Sequence, residues 1–121
     1  MELKELRNGS LVKYKDRVCN VEHINGTNNM LYLRYNDGYY CGAEAKEVEP
    51  IEIDTILLGD AGFDEEFPGY FKYETDKWVY TVSMKDDYWE LLIRDKKYVP
   101  FAFAAINYYH QLQMICGIYE D

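Results

Sequence analysis

The stretch Val18-Cys19-Asn20-Val21-Glu22-His23-Ile24, then Asn25-Gly26, then Met30-Leu31-Tyr32-Leu33-Arg34-Tyr35 reads as two strands joined by a turn. Asn-Gly is a strong hairpin dipeptide because both residues tolerate positive φ. Upstream, Ser10–Tyr14 alternates, with Val12 and Tyr14 on one side and Leu11 and Lys13 on the other, and Lys15-Asp16-Arg17 makes a first turn. Downstream, Asn36-Asp37-Gly38 is another tight turn, and Tyr39–Ala43 and Glu47–Ile51 complete the sheet. Four or five short antiparallel strands are too few for a sandwich. They suit a small SH3-like β-barrel, in which curling removes most exposed edges.

Val48-Glu49-Pro50-Ile51 closes this half, because proline cannot donate to a sheet ladder. Charge changes there too. Residues 1–50 carry seven basic and eight acidic groups, and residues 51–121 carry six and fourteen. A boundary near residue 52 gives domains 1–52 and 53–121, either separate or sharing one core. In the second, Asp54 is positioned to cap a short helix through Ile56, Leu57 and Leu58, ended by Gly59 or Gly62. Phe63–Pro68 reads as an acidic loop. Strands are expected at Tyr70–Glu74, Trp78–Met84, Tyr88–Arg94 and Tyr98–Phe101, joined by short charged turns. After Pro100 the period becomes helical. Ala105, Tyr108, Tyr109, Leu112, Ile115, Cys116 and Tyr119 form an apolar stripe, with Asn107, His110, Gln111 and Met114 opposite. That helix is expected to pack across the preceding sheet. The fold class is α+β: a small barrel, then an antiparallel sheet with a C-terminal packing helix.

The chain has 121 residues, 48% of them hydrophobic, with a formal charge of −9. This excludes a disordered chain, and no run of 18 apolar residues makes a spanning helix. The opening Met-Glu-Leu-Lys-Glu-Leu is charged and helical in pattern, unlike a signal peptide. A soluble, cytosolic protein is expected. Tyrosine is in excess, at 13 residues. Aromatic side chains suit a pleated surface and also serve interfaces, where Tyr adds a polar tip. Cys19, Cys41 and Cys116 form no CxxC pair and read as reduced, partly buried thiols.

No catalytic set survives inspection. Cys19 and His23 are four apart, but on a strand that spacing is about 13 Å, too far to share a metal. His110 lacks a nucleophile and an orienting partner, and reads as a surface or interface residue on the polar helix face. Neither a metal nor a cofactor is expected. Two surfaces remain. Glu52, Asp54, Asp60, Asp64, Glu65 and Glu66 occur without an intervening Lys or Arg and lack the rhythm of a calcium loop. They read as a solvated face or as a negative patch that meets a basic partner. Tyr32, Arg34, Tyr35, Tyr39 and Tyr40 form an aromatic-basic cluster on which a base could stack, with Arg34, Lys13 or Arg17 meeting phosphate. Direct duplex nucleic-acid binding is disfavoured by the charge.

Three segments carry a resemblance: Glu5-Leu6-Arg7-Asn8-Gly9 with Leu11-Val12; Val48-Glu49-Pro50-Ile51 leading to Ile56-Leu57-Leu58-Gly59-Asp60-Ala61-Gly62-Phe63; and His110-Gln111-Leu112-Gln113. In order and spacing they resemble the "ELRxGNxV", "VEPIxLT…LLxxxGF" and "YVHQLQNLYFALTG" segments of a family of small proteins in phages, prophages and mobile elements of gut Bacteroidetes. Asn8-Gly9-Ser10 stands where that family has a Gly-Asn step, and Met114–Tyr119 departs from its usual ending. The resemblance implies a phage or mobile-element context and the bacterial host cytoplasm, and carries no activity with it.

The leading expectation is a non-catalytic protein that docks on a host protein, a defence or nucleic-acid-processing one. It would use Asp60, Asp64, Glu65, Glu66, Tyr70, His110 and Gln111. The alternative is a homo-oligomeric sponge for a nucleotide immune signal, built on Tyr32, Arg34, Tyr35, Tyr39 and Tyr40. A hydrolase relying on His110 or a carboxylate pair is the third reading. No contact with a membrane is expected.

Overall fold

The computed structural model describes residues 1–119 and contains two antiparallel sheets with nine strands and a small C-terminal helix, an α+β fold. The chain divides into two compact units. The first joins Met1–Glu52 to the segment from Tyr108 onward; the second is Ile53–Asn107.

The first unit is a meander, β1 (Leu11–Tyr14), β2 (Arg17–Asn25), β3 (Met30–Tyr35) and β4 (Tyr40–Glu44), paired in that order. Lys15 and Asp16 both have positive φ, the twist that a two-residue hairpin turn requires. The β2–β3 turn differs from expectation. Asn25 pairs with Met30, so the loop has four residues, and the positive φ falls on Asn29 rather than on Asn25-Gly26. The alternating inner residues Val12, Tyr14, Cys19, Val21, Leu31 and Leu33 form the core with Leu6, Ala43, Ala45 and Val48. The expected strand Glu47–Ile51 is replaced by a 3-10 turn, Ala45–Glu47, followed by one bridge in which Lys13 and Glu49 exchange backbone hydrogen bonds at 2.9 and 2.8 Å. No closed barrel forms among the described residues.

The second unit opens with α1 (Thr55–Asp60), whose N-terminus is capped by Asp54 Oδ1 accepting from Leu57 N–H at 2.8 Å. A five-stranded meander follows: β5 (Asp64–Phe67), β6 (Tyr70–Glu74), β7 (Trp78–Met84), β8 (Trp89–Asp95) and β9 (Pro100–Ile106). Phe71, Val82, Leu91 and Ala104 lie in one cross-strand row, and Phe71 meets Trp89 edge-on. Two expectations fail here. The acidic stretch Phe63–Pro68 contains a strand, because pairing with β6 satisfies its backbone whatever its charge. Residues 101–106 are strand rather than helix, since ladder bonds to β8 outweigh the helix preference of three alanines.

The C-terminal helix, α2 (Tyr109–Cys116), ends at Gly117, which adopts the left-handed conformation that favours glycine. It belongs to the first unit, not to the preceding sheet. Gln113 explains this: its Oε1 accepts from Leu11 N–H at 2.9 Å and its Nε2 donates to Gly9 C=O at 3.0 Å. Tyr109 N–H also donates to Ile51 C=O at 2.8 Å. Leu112 is fully buried beside these bonds.

Candidate functional site

The acidic surface is assembled on the second unit. Asp60 ends α1, and Asp64, Glu65 and Glu66 are consecutive on β5; all four are exposed. β5 is an edge strand, so these carboxylates line a border of the sheet. Tyr70, half-buried on β6, stacks on Phe67 with ring centres 4.5 Å apart. Phe67 escaped the sequence reading, which took Phe63–Pro68 as a loop, whereas it ends β5. Asp64, Glu66 and Glu74 line a shallow cleft of about 300 Å³ with Gly62, Lys72 and Tyr73.

Lys72 is the cation of that cleft. Its Nζ donates to Tyr98 Oη at 2.9 Å and lies 2.9 Å from Glu74 and 3.7 Å from Glu66. The Tyr98 bond and then Glu74 hold its pKa above the ordinary lysine value. Lys72 and Lys96 together hold the Glu74 carboxyl below its usual range. Glu66 and Glu74 are thereby partly compensated. Asp60 and Asp64 have no ion pair among the described residues. This border sets compensated and uncompensated carboxylates beside an aromatic pair of which Phe67 is exposed and Tyr70 half-buried, and so presents both charge and apolar area.

His110 and Gln111 both lie on α2 in the first unit. His110 is 6% exposed, so the expectation of a surface histidine is corrected. Its Nδ1 is buried without a hydrogen-bond partner among the described residues, and its ring stacks on Tyr108. Burial pushes its pKa down, with Glu5 pulling the other way. Gln111 Oε1 accepts from Tyr108 N–H at 3.1 Å at the helix start. Helical spacing placed these residues opposite the apolar stripe, but the hydrogen bonds of Gln113 rotate that side into the first unit.

The aromatic-basic cluster divides between two faces of the first sheet. Tyr32 and Tyr40 are exposed and stack at 5.3 Å, on the same face as Arg34. Tyr35 lies on the opposite face, where Cys41 Sγ approaches its hydroxyl at 3.3 Å and the Arg17 guanidinium sits 3.9 Å over its ring. The Cys41 contact and burial raise the Tyr35 pKa to about 12. Tyr39 follows the β3–β4 turn, exposed. The neighbouring cations are engaged: Arg34 pairs with Glu22, and Arg17 pairs with Asp37 at 3.0 Å. Tyr32 and Tyr40 also stack directly on each other, which leaves no gap between them for a base.

Cys19 and His23 do not share a face of the strand. A register shift between Val21 and His23 turns His23 to the outer face opposite Tyr32, while Cys19 stays buried inside. Burial raises the Cys19 pKa and pushes that of Cys116 to about 12, so both are thiols. Among the described residues, no group of three or more His, Cys, Asp or Glu is arranged to hold a metal ion. Among the described residues no helix is long and apolar enough to cross a membrane. Compared with family models, curated proteins and solved structures, the chain matches none.

Proposed function

We propose that the chain is a non-catalytic binding protein that docks on a basic host protein through the border formed by Asp60, Asp64, Glu65 and Glu66 with Phe67 and Tyr70. The observation that carries this reading is the gathering of four exposed carboxylates and a stacked aromatic pair in one unit. The phage-like segments support a role in bacterial host cytoplasm, acting on a defence or nucleic-acid-processing protein. The first unit fits an SH3-like, partly open barrel: β1–β4 run as a meander, and a 3-10 turn then returns Glu49 to β1. The nucleotide sponge has less support, because Arg34 and Arg17 are already paired with carboxylates.

The test is capture of tagged chain with host cytosol, repeated with Asp64→Lys/Glu65→Lys/Glu66→Lys and at rising salt. A stoichiometric basic protein, lost in the triple variant and weakened over the screening range, is expected. Capture indifferent to both changes, or no protein captured, overturns the reading.

A further inference from the structure

The two borders of the second sheet are built oppositely. β5 carries three carboxylates in four residues, the usual guard against edge-to-edge pairing. β9 is paired with β8 on one side only and carries no charged residue. Pro100–Phe103 and Ala105 are exposed, Phe101 by 69% and Phe103 by 78%. Pro100, at the first position, removes a single donor. Backbone groups along the rest of the strand point alternately away from β8, and such an edge is a template for another strand.

We propose that β9 pairs antiparallel with β9 of a second copy of this chain, continuing one sheet across a two-fold axis. Charge and closure together select this occupant. Ile53–Asn107 carries eleven acidic and six basic residues, so two copies of this unit repel, and β9, which has no charged residue, is a strip along which they approach without like charges. Pairing β9 with the second copy's β5 would desolvate carboxylates against phenylalanine and would propagate without closing, whereas β9 on β9 closes as a dimer. Centred on Phe103, the arrangement sets Phe103 against the partner's Phe103, an aromatic cross-strand pair, and Ala102 against the partner's Ala104. This surface is independent of the acidic border and has the opposite salt response: screening strengthens the dimer.

The experiment is sedimentation of the full chain over a range of concentration at low and moderate salt, with amide hydrogen exchange in parallel. A monomer–dimer equilibrium that tightens with salt is expected, with Phe101–Ala105 amides more protected at high concentration. Phe103→Lys should weaken the dimer by about tenfold or more while leaving circular dichroism unchanged. If that variant misfolds, the concentration dependence of exchange in the unaltered chain decides alone. A monomer at about 1 mM overturns the proposal, as does a dimer without added protection in β9 or an open-ended polymer.

Discussion

β9 and α2 are neighbours in a stretch from Tyr98 to Tyr119 that contains no Asp, Glu, Lys or Arg, yet they dispose of their side chains in opposite ways. β9 leaves Phe101 and Phe103 in water, while α2 buries His110 and Gln113. Hydropathy alone would assign the reverse. In α2, burial follows from hydrogen bonds: Gln113 satisfies a donor and an acceptor that the β1 entrance leaves without ladder partners, so its amide is worth more inside than out. In β9, exposure follows from topology, because a meander of five strands has to end and its last strand has one paired side.

The largest effect that would break this contrast comes from Gln113→Leu. The change is nearly isosteric and makes the helix more apolar. Leu11 N–H and Gly9 C=O would nevertheless lose their partners, and each buried orphan costs about 1–3 kcal/mol. A loss of about 3 kcal/mol in urea unfolding is expected. Unchanged or increased stability would mean that Gln113 packs as a hydrocarbon and that its bonds do not hold α2.

A smaller effect concerns His110. Its folded-state pKa lies below its unfolded value of about 6.5, since burial disfavours the imidazolium more than Glu5 favours it. Between those two values the unfolded chain binds a proton that the folded chain does not, so stability rises with pH. The contribution is complete above about pH 6.5 and declines as pH falls toward the folded pKa. The stability difference between the unaltered chain and His110→Gln should therefore shrink on acidification from pH 8 to about 5.5. A difference that stays flat over this range would place the imidazole in water.

Much of this arrangement was readable in the residues. The hairpins around Lys15-Asp16 and Asn36–Gly38 and the Asp54 cap follow from turn chemistry and capping. The acidic border was legible as charge but not as structure, because Asp-Glu-Glu-Phe lacks an alternating pattern and becomes a strand only through β6. Phe101-Ala102-Phe103-Ala104-Ala105-Ile106 is consistent with both periods, and its pairing with β8 decides between them. The tyrosine cluster was legible as a composition and divided by strand parity, which sends Tyr32 and Tyr35 to opposite faces. The extra residue at Glu22, which turns His23 outward, has no local signature.

The smallest expected effect is the sharpest on the β9 side of the contrast. Phe103→Thr removes a large ring but introduces a β-branched residue that also suits a strand. With 78% of Phe103 already exposed, folding buries little of the ring, and the monomer should change in stability by less than about 0.5 kcal/mol. In dilute chemical denaturation the two proteins should therefore coincide. At high protein concentration they should separate, because association stabilises only the form that pairs. The thermal midpoint of the unaltered chain should climb with concentration, and that of Phe103→Thr should remain nearly level. A deficit already present at high dilution would instead mean that Phe103 supports its own sheet, and β9 would then be an ordinary edge whose aromatic residues serve the fold.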